Sequence, residues 1–242
     1  MTGNLLAFAL ETVPDVEAGR RLYGLEGLGE EEIFRVMAHK RRERTGGSDV
    51  PPPHQRRILD ISVVARGSRG LEVTSLGGGE GSEADILRAF FDRAGRGEPT
   101  LVSWDGLGGA LPVLRYRALA HGVRAPHAWS GEHVDLLDVL VGGRREARAP
   151  LEEIALMIGL PRRAARDPER TWAQFIQGDR GALRAQCEIR AIEVYLVYLR
   201  LELTRGRLSA DGYTARCAEL SRWLREARQA HLAGFADAWR DA

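Results

Sequence analysis

The chain's 242 residues suffice for one large domain, or for one domain with an appendage. At 44% hydrophobic and 29% charged, it has the composition of a soluble globular protein. Its 35 basic and 34 acidic residues leave a formal net charge of +1, which excludes a whole-molecule field drawing it to nucleic acid or membrane; any basic footprint must be local.

In chain order, "NLLAFALETV" is a continuous apolar run ending at Pro14, as expected of a strand buried on both faces. It has no basic leader and is too short for export or a membrane span, so the expected setting is the cytoplasm. Residues 15 to 57 are polar, with "GLEGLGEEE", "TGGSD" and "PPP" as punctuation; one helix near residues 30 to 43 and an exposed loop are expected. "RILDISVVARG" and "LEVTSLGG" form a hairpin antiparallel to the first strand. "SEADILRAFFDRAGR" is an amphipathic helix with Ser82 as N-cap and Ile86, Leu87, Phe90 and Phe91 as its apolar stripe.

"TLVSWDG" is the next buried strand, and "LPVLRYRALAHG" a helix opened by Pro112 and closed by Gly122. "EHVDLLDVLVG" fits strand or helix, and "APLEEIALMIGLP" is a helix. From Thr171 the pattern is helical. "ALRAQCEIRAIEVYLVYLRLELTRG" is apolar over much of its circumference and therefore buried. "SADGYTARCAELSRWLREARQAHLAGF" reads as one final helix whose Leu220, Trp223, Leu224 and Leu232 exceed what one core covers. The order of elements predicts an α/β fold, a mixed sheet flanked by helices.

Few local motifs carry chemistry. "GGGEG" lacks the Lys-Ser/Thr of a phosphate loop and is a flexible connection. "HKRRER" shares its helix with "EEE" and is a solvated face. Cys187 and Cys217 match no metal spacing and are expected as buried free thiols. No Ser-His-Asp arrangement, dinucleotide fingerprint or zinc motif is present. "RRAAR", with Arg162 and Arg163, is a candidate phosphate contact. Trp129 is the better candidate for base stacking, while Trp104 on a buried strand is expected in the core.

Six segments in order, "FALETVPD", "HQRRILDISVV", "LVSWDGLGGALPVLRYRALAHGV", "HVDLLDVL", "APLEEIALMIGLP" and "CEIRAIEVYLVYLR", resemble the predicted 3'-5' exonucleases related to the exonuclease domain of family B DNA polymerases. The resemblance covers roughly residues 5 to 205. It implies a ribonuclease H-like fold of the DEDD superfamily over residues 1–205, with residues 206–242 as a helical C-terminal extension packed on it. It also implies two-metal phosphodiester hydrolysis, in which four carboxylates hold two magnesium or manganese ions.

Those carboxylates come from an Asp-x-Glu on the first strand, an aspartate after an Asn-Gly turn, and an aspartate on the late helix four residues after a tyrosine. Here the corresponding positions are Ala9 and Glu11, Ala110, Arg190 and Gln186, so one acid of four remains. The segments "HAWSGE" and "GLPRRAARDPERTW" also depart from the family, which puts ordinary substrate binding in doubt.

The expected protein is therefore a catalytically inactive homologue that needs no cofactor and still binds single-stranded nucleic acid, through Trp129, Arg162, Arg163 and Arg190. One alternative is an interaction module using the last helix for a protein partner or a second copy. Another is an active nuclease with magnesium or manganese on rebuilt ligands, Glu11, Asp105 and Asp135, although Asp135 would stand one layer behind the ions. Two readings of Arg190 stay open: an ion pair with Glu11 in place of the metal bridge, or an outward guanidinium that binds phosphate.

Overall fold

Every residue of the first strand, β1 (Leu5–Pro14), is buried, as its unbroken apolar run requires. The computed structural model describes residues 4–68, 70–77, 81–125, 132–165 and 167–239. After β1 come α1 (Val16–Tyr23) and α2 (Glu30–Thr45), then the hairpin β2 (Arg56–Gly67) and β3 (Gly70–Ser75), and α3 (Glu83–Gly95). Strand β4 (Thr100–Ser103) leads through a single π turn, Gly106–Ala110, into α4 (Leu111–His121). There follow β5 (His133–Asp135), α5 (Leu136–Val141), α6 (Leu151–Met157) and α7 (Pro168–Ile176). The long α8 (Arg180–Thr204) precedes α9 (Ala210–Glu226) and α10 (Ala230–Ala238).

The five strands form one sheet in the order β3-β2-β1-β4-β5. The first three are antiparallel neighbours, and β4 and β5 run parallel to β1. This mixed sheet flanked by helices, with a helical C-terminal part, is the expected ribonuclease H-like architecture. Strand alternation divides the core. Leu5, Ala7 and Ala9 join the layer under α8, whereas Leu6, Phe8 and Leu10 join the layer of α3 and α4. A third cluster packs Val13, Val16, Ile33 and Met37 with Trp172, whose ring stacks on Phe34 with centroids 4.9 Å apart. The β1–β2 register slips after Glu11, from Glu11 opposite Asp60 to Thr12 opposite Ile58. The slip leaves Leu59 as an inserted residue, so the ladder bends beside Glu11.

Three expectations need correction. The polar stretch after Pro14 contains a second helix, α1, capped by Asp15, whose side chain accepts from the Ala18 N–H. "EHVDLLDVLVG" is both strand and helix, β5 running directly into α5. The final helix is two helices, and α10 folds back on α9 and α8. Leu220, Leu224 and Leu232 are consequently buried and Trp223 is partly buried. The apolar face offered as a docking surface is covered by the chain itself. The ion pair of Arg66 in β2 with Glu219 in α9, at 3.1 Å, adds a polar tie at that junction. No described helix is long and apolar enough to cross a membrane.

Candidate functional site

A cleft of about 440 Å³ opens where β1, the π turn before α4, α6 and α8 meet. Ala9, Ala110 and Arg190 line it, so the fold brings together three of the positions singled out from distant segments. Gln186 is not among the lining residues. Its side-chain amide, one turn before Arg190, donates to Gln174 Oε1 of α7 at 3.0 Å.

Glu11 is fully buried beneath the cleft, which its neighbours Leu10 and Thr12 line. Arg190 reaches it from α8: Nη2 donates to Glu11 Oε2 at 3.1 Å and Nη1 to the Leu10 carbonyl at 3.0 Å. The Thr12 N–H donates to Glu11 Oε1 at 3.3 Å. Of the two readings of Arg190, the ion pair is the one in the structure. Burial alone would lower the guanidinium's pKa, but the adjacent Glu11 carboxylate outweighs it and raises the value, so Arg190 is charged at any working pH. One turn earlier, the Cys187 thiol donates to the Ala9 carbonyl at 3.4 Å, and burial pushes its pKa well up, so it remains a thiol.

The ionic pattern continues along the α8 side. Arg163 is turned inward: its Nε bonds both carboxylate oxygens of Glu193 at 2.7 Å, and its Nη1 meets Glu152 Oε1 at 3.0 Å. A guanidinium held by two carboxylates is not poised for phosphate, contrary to the expected contact. Glu193 is fully buried, which raises its pKa despite Arg163 beside it. Glu152 lines the cleft; burial pushes its carboxyl up, but Arg163 and Arg190 outweigh this and hold it below the usual range. Arg162 is exposed in the segment between α6 and α7. Trp104 is partly buried and lines the cleft, and Trp129 lies outside the described residues.

The remaining carboxylates are engaged elsewhere. Asp105 has a left-handed backbone, φ 52°, and pairs with Arg148. Asp135 caps α5 through Oδ1, which accepts from the Leu137 and Asp138 N–H groups at 3.1 and 3.3 Å. Its Oδ2 accepts from the Leu107 N–H at 2.8 Å and so fastens the π turn to β5. Among the described residues, no group of three or more His, Cys, Asp or Glu is placed to hold a metal ion. The donors do not fit a pair of hard divalent cations, because the acid beneath the cleft is already answered by a guanidinium.

Sequence reasoning missed Arg56, Arg148 and Glu152, which line the cleft. Arg148 and Glu152 flank the start of α6, in a segment recognised only as a helix. Their partners, Asp105 for Arg148 and Arg163 for Glu152, lie in other segments, and no local spacing marks them.

A family model described as "Predicted 3'-5' exonuclease related to the exonuclease domain of PolB" matches residues 48–239. The match includes Ala110, Gln186 and Arg190, begins after β1, and runs on through α9 and α10. No curated protein matches the chain.

Proposed function

The chain belongs to the family of predicted 3'-5' exonucleases related to the exonuclease domain of PolB, and from that premise we propose that it is a non-hydrolytic member that holds a single nucleic-acid strand in its cleft. The observation that carries this reading is the Arg190–Glu11 pair. Two-metal hydrolysis needs clustered oxygen ligands whose negative charges outweigh the cost of stripping water from the ions. At about 4 Å and an effective dielectric of about 20, a guanidinium repels a divalent cation by roughly 8 kcal/mol, cancelling the attraction of one carboxylate at the same distance. A metal in the cleft would therefore meet Arg190 with the Glu11 carboxylate buried and neutralised behind it.

A strand phosphate meets a different surface. Arg56, Arg148 and Arg190 line the cleft, where a phosphate would share Arg148 with Asp105 and Arg190 with Glu11, and partly buried Trp104 lines it too. Guanidinium groups and an aromatic face are what a sequence-tolerant single-strand site uses. Exposed Arg162 remains a candidate contact, and Arg163 is not proposed as one. A rebuilt metal site on Glu11, Asp105 and Asp135 finds no support, since each of these acids is engaged.

Manganese calorimetry, with binding and digestion of a labelled single strand in the same buffer, tests the reading. The expected result is no manganese heat and no cleavage. Strand binding should survive chelator and weaken as salt rises. Metal-dependent cleavage that disappears in Glu11→Gln would sink the proposal, and so would the absence of strand binding.

A further inference from the structure

Helix α4 has two apolar faces; the fold buries one and covers the other in part, where the His54 ring meets Tyr116 with centroids 5.6 Å apart. Leu111, Val113, Leu114 and Ala118 are buried against α3 and the sheet. On the opposite side Pro112, Tyr116 and Leu119 follow one another at spacings of four and three residues, the spacing of a heptad seam, and Val123 continues the groove just past the end of the helix. Leu119 is 80% exposed and Tyr116 48% exposed. Together with Arg115 and Gly122, these residues line an open groove of about 730 Å³. An isolated exposed leucine needs no explanation, but an apolar stripe in helix register along a groove is the surface on which a second helix docks.

Charge decides between occupants. The segment "LPVLRYRALAHGVRA", residues 111 to 125, carries Arg115, Arg117, His121 and Arg124 and no carboxylate. Arg117 and His121 both turn to Glu83, so Arg115 and Arg124 are the charged groups this segment carries at the surface. A second copy laid on this face about a two-fold axis would set arginine against arginine. We propose that the outer face of α4 docks an amphipathic partner helix whose apolar seam is flanked by carboxylates. The face begins at Pro112, two residues from Ala110 in the cleft, so the bound helix would lie beside the proposed strand site. The docking itself does not depend on that strand reading.

The test uses the full chain and a designed helical peptide with leucine at heptad positions a and d and glutamate at e and g. A second peptide carries lysine at e and g. The glutamate peptide should bind, and the lysine peptide should bind at least about tenfold more weakly. Leu119→Glu should weaken the glutamate peptide by about tenfold or more while leaving the melting temperature unchanged, because the side chain is exposed. Arg115→Glu should narrow or reverse the preference between peptides. Equal binding of the two peptides, or binding of neither, would overturn the proposal. So would a dimer of the chain alone that Leu119→Glu dissociates, or Leu119-dependent sedimentation with anionic vesicles; these results would assign the face to a second copy or to a lipid surface.

Discussion

Removing the Arg190 guanidinium strips Glu11, fully buried beneath the cleft, of its counter-charge. Breaking a buried pair from one side costs about 3–5 kcal/mol, whereas replacing both partners with apolar or neutral groups of similar size is nearly neutral. Arg190→Met should therefore lower the unfolding free energy by roughly that amount, and adding Glu11→Gln should restore most of it, as read by chemical denaturation. Glu152 supplies a pH signature. Its folded pKa is depressed, so its contribution is fully present above the unfolded value and is lost as pH falls through the folded one. The stability gap between the parent and Glu152→Gln should be constant near neutrality and close below about pH 4, in thermal melts taken across that range. That Ala9, Ala110 and Arg190 would meet at one cleft was legible in the sequence, because each sits in a segment with clear flanks. The inward turn of Arg163 was not, since its partners Glu152 and Glu193 belong to two other helices.

The elements around the cleft depend on a few polar ties. Asp135 both caps α5 and accepts the Leu107 N–H of the π turn. Asp135→Ala should cost about 1–2 kcal/mol, seen as a lowered melting temperature, because it removes a helix cap and frees a buried donor. Gly106 belongs to the same junction: a Cβ there would lie 2.0 Å from Ser103 Oγ, so only glycine lets the turn close over the Ser103–His133 hydrogen bond. At the other end of α4, Arg117 holds Glu83 at 2.6 Å and Asp15 at 2.5 Å, joining α4 to the starts of α3 and α1. Strands β1 and β2 and helices α3, α4 and α8 were readable because each is a long run of one period, and the short β4 because it follows directly on Pro99. Helix α1 escaped because only Val16 and Gly19 of its eight residues are buried, leaving no apolar stripe to read. The junction of β5 and α5 escaped because three strand residues are too few to establish a period.

At the scale of the whole molecule, α9 and α10 belong to the core. Leu220, Leu224 and Leu232 share one cluster with Tyr195 and Tyr198 of α8. A chain cut after Arg205 would expose that layer. It should aggregate or bind a hydrophobic dye at concentrations where the full chain does neither, checked by light scattering and dye fluorescence. The sequence showed apolar residues beyond one amphipathic stripe here, and it placed them outward. The fold-back between Glu226 and Ala230 turns them in, and a short break in helical pattern does not announce the direction of the next helix. The Arg190–Glu11 pair also bears on how the molecule is fastened. In a member built on four carboxylates, a cation is at once reagent and rivet, joining the first strand to the late helix. Here a side chain rivets the first strand to the late helix, and the chain itself closes that seam. Replacing Arg190 by aspartate alone would set two carboxylates face to face, with Ala9 and Ala110 still unable to help hold a metal. Arg190→Asp should therefore lose stability without gaining metal-dependent cleavage, so the side chain that closes this seam is one the fold cannot exchange singly for an acid.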